Sequence, residues 1–126
     1  MSRRVEKPWG HEEIWAETDK YVGKILVIRA GSRLSLQHHE VKDETIRLLS
    51  GSMNLELSDE NGTLHVQRFE PGMTARIRPG RKHRMQAITD VQLLEVSTPE
   101  IDDVVRHEDD YGRTSSGGPL TETDRD

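Results

Sequence analysis

The sequence predicts a single all-β domain whose antiparallel strands close into a sandwich or barrel. Two observations predict this class: short runs of alternating or continuous apolar residues, and Gly, Pro and Asn turn residues that separate them. No long segment combines the 3.6-residue apolar period of an amphipathic helix with capping residues. The length of 126 residues fits one domain of ordinary size.

Seven strands are predicted in the central part of the chain, each bounded by a turn. They cover residues 21–30, 34–39, 53–58, 63–69, 73–77, 84–88 and 91–97. The strongest turn signal is the Asn-Gly pair at positions 61 and 62, which favours a hairpin between the two strands beside it.

The residues after Tyr111 differ in composition from the rest of the chain. They are rich in Gly, Ser, Thr and charged residues, and their one large apolar side chain is Leu120. Such a segment buries too little apolar surface to offset the entropy lost on ordering. We therefore expect an ordered domain over residues 1–113 and a disordered tail over residues 114–126.

Composition argues against several classes of protein. There are no cysteines, so neither a disulfide framework nor a thiolate metal site can form. The formal net charge is -5 without a basic cluster, which argues against a nucleic-acid partner. No apolar run approaches the roughly 20 residues of a membrane span, and the N-terminus lacks the apolar stretch of a signal peptide. These features predict a soluble, cytoplasmic protein without a membrane partner.

Four polar side chains have a pattern that suits a metal site. Gln37 and His39 lie two residues apart on a predicted strand and share a face, whereas His38 faces the opposite side. Glu44 follows across a short turn, and His83 stands at the start of a later strand. One amide oxygen, two imidazoles and one carboxylate suit Zn, Mn, Fe, Co or Ni with positions left open for substrate. On spacing alone, ordinary surface or hydrogen-bonded histidines remain the commoner interpretation.

Two segments resemble the two sequence motifs of the cupin family. In the first, residues 31–51, Gln37 replaces the first His of the motif. In the second, residues 72–83, the Pro is displaced and directly precedes the second Gly. The matching positions are Gly31, His39, Glu44, Gly51, Gly72, Gly80 and His83. The resemblance implies a double-stranded β-helix, the jelly-roll barrel of cupins, with one metal ion held by the four polar side chains.

The resemblance narrows to the cupin domain of type II mannose-6-phosphate isomerases, which often lies at the C-terminus of a mannose-1-phosphate guanylyltransferase. It covers roughly residues 7 to 113 of this chain. The matching stretches are Lys7-Pro-Trp-Gly10, Leu34-Ser-Leu-Gln37, Lys82-His83-Arg84 and residues 104–113. Phosphomannose isomerases have Gln as the first metal ligand, so Gln37 is the residue expected in this subfamily.

The resemblance implies a metal-dependent isomerase acting on a free or phosphorylated sugar. Aldose–ketose exchange moves a proton between C1 and C2 through an enediol, and a divalent metal polarises the oxygens. We expect Glu95 to move the proton and Lys24 or an Arg to steady the negative charge. Arg106 and Arg113 are candidate phosphate-binding forks. The structural alternatives are a salt bridge for Glu95, an edge-strand position for Lys24 and solvated surface charge for the two arginines.

Two other functions stay open from the sequence: a cupin oxygenase that uses Fe(II), and a non-catalytic module that binds a metal or a sugar. The partners expected are a small carbohydrate and a second copy of the chain. Small cupins commonly pair through their N-terminal strands and outer sheet. The run from Tyr21 to Ile28 is apolar on both faces, more than one face of a small barrel requires, which predicts a homodimer.

Overall fold

Eleven β-strands in two sheets make up the part of the chain that this computed structural model describes, residues 2–113. The strands are β1 (Arg3–Lys7), β2 (Gly10–Glu17), β3 (Val22–Ile28), β4 (Leu36–His38), β5 (Glu44–Ser50), β6 (Met53–Ser58), β7 (Leu64–Phe69), β8 (Thr74–Ile77), β9 (His83–Ala87), β10 (Val91–Ser97) and β11 (Val105–Glu108). Within residues 2–113 there is no helix that could cross a membrane. The all-β prediction is confirmed, and the predicted tail over residues 114–126 lies outside the described residues.

The two sheets face each other, and the chain passes back and forth between them. One sheet has the order β1-β2-β3-β10-β5-β8, and the other has the order β11-β4-β9-β6-β7. The pairings between neighbouring strands are antiparallel. From β3 to β6, and again from β7 to β11, successive strands alternate between the sheets. Residues close in sequence therefore reach the interior from opposite walls.

The predicted strands agree with the structure in most places. The predictions over residues 53–58 and 91–97 match β6 and β10 in full. The strand predicted over residues 34–39 is too long, because β4 ends at His38. His39 leaves the ladder, and its carbonyl oxygen accepts a hydrogen bond of 2.7 Å from the backbone N–H of Gly80. Gly80 has φ +84°, a left-handed conformation that favours glycine.

Strands β1, β2, β5 and β11 are not among the seven that the sequence predicts. The hairpin of β1 and β2 carries so many charged residues that its alternation is masked. On β2 the buried residues include Gly10, Glu12 and Ile14, so a carboxylate occupies a position where the pattern calls for an apolar side chain.

The interior has an apolar half and a polar half. On β10 the buried positions run from Val91 and Leu93 to Glu95 and Ser97, and neighbouring strands change in the same direction. The apolar core consists of Trp9, Leu26, Ile28, Leu34, Ile46, Leu48, Met53, Leu55, Phe69, Ile77, Met85, Ala87, Val91 and Leu93. Each fully buried Leu, Ile or Phe stabilises the fold by about 1.5–3 kcal/mol. Buried polar groups bring no such gain and need partners, so the polar half is where a functional site is expected.

Candidate metal centre

Three buried side chains converge in the polar half of the interior. The ligand atoms of His39, Glu44 and His83 all lie within 4.8 Å of one another. The Oε1 atom of Glu44 is 3.6 Å from Nε2 of His39 and 3.2 Å from Nε2 of His83. Each of the three residues is 1% exposed. Two ligands bound to one ion at about 2.1 Å lie about 3.0–3.5 Å apart. The separation of 3.2 Å falls within this range and that of 3.6 Å lies just above it, so small side-chain shifts would let the three residues share one metal ion.

The cluster joins the two sheets. Glu44 is the first residue of β5 in the six-stranded sheet, and His83 is the first residue of β9 in the five-stranded sheet. His39 lies in the loop that leaves β4. His39 and Glu44 are five residues apart and His83 is far from both in sequence, and the antiparallel packing of the two sheets places the three side chains at one point.

Both histidines are oriented by a backbone carbonyl. Nδ1 of His39 lies 2.5 Å from the carbonyl oxygen of Asp103, and Nδ1 of His83 lies 3.0 Å from that of Arg81. A carbonyl oxygen only accepts, so each Nδ1 carries a hydrogen, and Nε2, the nitrogen that would bind a metal, is turned towards Glu44. Two imidazole nitrogens and a carboxylate that face one another suit a cation, and a carbonyl on the far ring nitrogen is the usual outer partner of a metal-binding histidine.

Gln37 lies in the same cross-strand row as His83. Its Cα is the register partner of His83 on β9 and of Arg106 on β11. Side chains at paired positions project from the same face of a sheet, and all three residues are buried. Ser35 donates a hydrogen bond of 2.6 Å to Oε1 of Gln37. The amide and the Arg106 side chain are therefore on the same face as His83.

Lys24 and Glu95, predicted to act in catalysis, are neighbours in the polar half. Their Cα atoms are register partners on β3 and β10, and each residue is 1% exposed. Lys24 lies in the middle of its sheet, which contradicts the edge-strand alternative. Its Nζ is 3.5 Å from the carboxylate of Glu12. Glu95 accepts a hydrogen bond of 3.2 Å from Nζ of Lys42, so it does form the ion pair named as its structural alternative.

Lys42, which is not among the residues predicted from the sequence, connects the metal cluster to Glu95. Its Nζ lies 3.2 Å from Oε2 of Glu44 and 3.2 Å from Oε2 of Glu95, and its side chain has no exposed surface. A fully buried lysine is rare and needs paired charges. In the sequence Lys42 belongs to the charged run 40–44, which is typical of a solvated turn. The neighbouring residues therefore do not predict its burial. Glu12 is missed because its strand is not predicted.

A second pair of histidines and Arg113 lie outside the cluster. Nδ1 of His38 is 2.7 Å from Nε2 of His107, and Nε2 of His38 is 2.9 Å from the carboxylate of Glu40. The guanidinium of Arg113 donates to Asp109 at 3.0 Å and 3.2 Å. Arg113 is thus held in a local ion pair whose side chains are only 11% and 0% exposed, which differs from the solvated surface charge named as its structural alternative.

Comparison with known proteins shows which protein family the sequence matches. Residues 1–109 match the protein family described as mannose-6-phosphate isomerase C-terminal. The chain is 30% identical over 117 residues to the xanthan biosynthesis protein XanB of Xanthomonas campestris, with 89% of the chain and 24% of that protein covered. It is 30% identical over 118 residues to the mannose-1-phosphate guanylyltransferase ManC of Salmonella typhimurium, with 90% and 24% covered. The chain spans about a quarter of the length of these relatives.

Solved structures with the same fold are more distant in sequence. KdgF from Halomonas superposes with a TM-score of 0.68 at 20% identity and covers 79% of this chain and 88% of its own. Oxalate decarboxylase from Bacillus subtilis superposes with a TM-score of 0.72 at 16% identity, with 83% and 30% covered. Another structure of that enzyme is described by its Mn(II) centres. These similarities confirm the predicted cupin jelly-roll barrel.

Proposed function

Because this chain belongs to the mannose-6-phosphate isomerase C-terminal family, we propose that it is a metal-dependent isomerase domain that acts on a sugar phosphate. The observation that carries the proposal is the buried cluster of His39, Glu44 and His83, whose ligand atoms lie within 4.8 Å of one another. Burial of two imidazoles and a carboxylate at one point costs stability, and a bound metal ion offsets that cost.

The proposed ligands of the metal ion are Gln37, His39, Glu44 and His83. They supply nitrogen and oxygen donors and no thiolate, a set that suits Zn, Mn, Fe, Co or Ni. Ser35 orients the amide of Gln37, and backbone carbonyls orient the two histidines. The ion would polarise the carbonyl and hydroxyl oxygens of a bound sugar.

Glu95 is the proposed base that moves a proton between C1 and C2 of the sugar. The hydrogen bond from Lys42 fixes the orientation of its carboxylate beside the metal cluster. Lys24 lies next to Glu95 on the adjacent strand, where an ammonium group would steady negative charge that develops on the sugar oxygens. The burial of all these groups keeps bulk water away from the proton that is moved.

The charge of the polar half favours a phosphorylated sugar. Among the described residues, the buried charged side chains are three carboxylates, Glu12, Glu44 and Glu95, and five cations, Lys7, Lys24, Lys42, Arg84 and Arg106. With both histidines neutral, a divalent ion would add to this excess of positive charge. A phosphate group, which carries about two negative charges, complements such a field. Arg106, in the row of Gln37, is the proposed phosphate fork.

The proposal is tested with mannose 6-phosphate and protein reconstituted with each candidate metal. We expect conversion to the ketose phosphate, followed by NMR, that stops when a chelator removes the metal. Glu95→Gln should abolish turnover and retain the metal, since Glu95 is not a proposed ligand. Retained metal without turnover on any sugar phosphate would identify a non-catalytic binding module instead. Bound iron with oxygen uptake would identify an oxygenase.

A homodimer that uses the outer face of the six-stranded sheet is part of the proposal. Ile25 and Leu94 are register partners on that face, and near them Trp15 and Val96 are 44% and 45% exposed. Such surplus apolar sheet surface suits a second copy of the same face. Light scattering of the unmodified protein should give the mass of two chains.

The Val96→Glu variant should give the mass of one chain. Val66 is equally apolar but lies on the other sheet, so Val66→Glu should leave the dimer intact. A monomeric unmodified protein would contradict the proposal.

A further inference from the structure

We infer that Asp103 is a positioning residue that sets the metal affinity of the site by holding the metal loop, residues 39–43, in its bound shape. The inference rests on the proposed metal centre. It assigns a role to the segment between β10 and β11, which supplies none of the proposed ligands.

The carboxylate of Asp103 binds three successive backbone N–H groups of the metal loop. Its Oδ1 accepts a hydrogen bond of 3.0 Å from Glu40, and its Oδ2 accepts bonds of 2.7 Å from Val41 and 2.8 Å from Lys42. Three converging donors form an anion-binding concavity of the kind that turns build around a carboxylate or phosphate. One side chain therefore fixes the middle of the loop.

The same residue also orients a proposed ligand. Its backbone carbonyl oxygen accepts the hydrogen bond from Nδ1 of His39. The carboxylate bonds fix the position of that carbonyl relative to the loop, so His39 and the loop are held by one anchor. At the other side of the anchor, the bond to the N–H of Lys42 holds the residue whose side chain turns inwards to Glu44.

The rest of the loop has anchors of its own at the two ends. The carbonyl oxygen of His39 accepts from Gly80, and Asp43 exchanges bonds with Thr98. Between these ends Glu40 and Val41 face solvent, and Val41 is 60% exposed. Loss of the Asp103 carboxylate should therefore loosen the middle of the loop and leave the barrel folded, because the apolar core lies in the other half.

The ionisation of Asp103 agrees with this role. Burial opposes the charged form, but the hydrogen bonds from the backbone of Lys42, Val41 and Glu40 outweigh it and lower the pKa of the carboxyl group. The side chain is then an acceptor for all three N–H groups at neutral pH.

The test compares the Co²⁺ affinity of Asp103→Ala, Asp103→Asn and Asp43→Asn with that of the unmodified protein. Asp43 is the matched control, because it is a carboxylate of the same loop that pairs outwards with Arg76. Removing an outer partner of a metal ligand lowers affinity about 10- to 100-fold. Asp103→Ala keeps the backbone carbonyl that binds His39 and removes the bonds that fix its position, so we expect a loss near the lower end of that range, about 10-fold. Asp103→Asn should lose less affinity, and Asp43→Asn almost none. The visible spectrum of bound Co²⁺ should change in Asp103→Ala, because His39 loses its fixed orientation.

The outcomes separate this inference from the proposed function. If the unmodified protein binds no Co²⁺, the metal centre itself is wrong and the inference fails with it. If the unmodified protein binds Co²⁺ and Asp103→Ala binds it equally well, the inference alone is overturned. It is also overturned if Asp103→Ala lowers the melting temperature of the metal-free protein and leaves affinity and spectrum unchanged. Asp103→Asn decides the matter if Asp103→Ala does not fold.

Discussion

Two pairs of histidines lie back to back at the end of β4. His39 and His83 form the inner pair, and His38 and His107 form the outer pair. Their ring centroids are almost equally far apart, 5.1 Å in the inner pair and 5.0 Å in the outer pair. The inner rings are tilted by 48° and the outer rings are stacked within 24°. Proximity alone therefore does not distinguish a metal site from an ordinary contact.

The surroundings of the two pairs do distinguish them. The inner rings are buried, each Nδ1 is bound to a carbonyl oxygen, and Glu44 lies beside both Nε2 atoms. In the outer pair the nitrogens of the two rings face each other at 2.7 Å, and the side chain of Glu40 is 67% exposed. One pair presents its lone pairs to a third group, whereas the other uses its nitrogens for a contact with each other.

The largest effect is expected from Glu44, the glutamate that lies beside the inner pair. Glu44→Gln removes the charged proposed ligand, and we expect metal affinity to fall by more than about 100-fold, beyond the loss typical of an outer partner. It also leaves the buried Lys42 with one charged neighbour fewer, so the metal-free protein should be less stable. Glu40→Gln is the control at the outer pair and should change neither quantity appreciably. Titration with Co²⁺ and thermal unfolding measure both; equal effects of the two substitutions would remove the distinction between the pairs.

A smaller effect is expected from the residue that orients Gln37. Ser35→Ala deletes the hydrogen bond of 2.6 Å to Oε1 of the amide, and metal affinity should fall roughly 10-fold if that oxygen is a ligand. Ser52→Ala is a matched control, because Ser52 is another buried serine whose hydroxyl bonds Arg68 and Glu70 away from the cluster. Unchanged affinity in Ser35→Ala would exclude Gln37 from the ligand set.

The smallest effect concerns the pH dependence of the outer pair. Burial lowers the pKa of His107, and the charges of Lys82 and His38 lower it further. A lowered pKa in the folded state gives a stabilising contribution that is present above the unfolded value of about 6.5 and is lost as the pH falls through the folded pKa. His107→Gln removes that contribution. Urea unfolding of metal-free protein at about pH 7.5 and about pH 5.5 should show a smaller loss of stability in the variant; an equal loss contradicts this assignment.

Short-range patterns predict the strands and make Gln37, His39, Glu44 and His83 candidate ligands, and the resemblance to cupins implies the barrel. The fold brings three of these candidates together, His39, Glu44 and His83. Alternation along β4 separates His38 from His39, and the turn before His83 places that residue at the start of a strand. Lys42, Glu12 and Asp103 do not follow from such patterns. Lys42 and Asp103 lie in charged stretches that resemble solvated loops, and only the contact between those stretches turns the lysine inwards. Their roles depend on tertiary packing, which the alternation of residues along a strand does not predict.

The central claim is that the inner pair holds a metal ion and the outer pair does not. Metal content of purified protein, measured by mass spectrometry, tests it most directly in His39→Ala and His83→Ala against His38→Ala and His107→Ala. We predict that the two inner substitutions remove the metal and that the two outer ones retain it. Loss of a ligand should lower metal affinity by more than the loss of about 10- to 100-fold that is typical of an outer partner. Full metal content in His39→Ala and His83→Ala, with loss of metal in His38→Ala, would contradict the account.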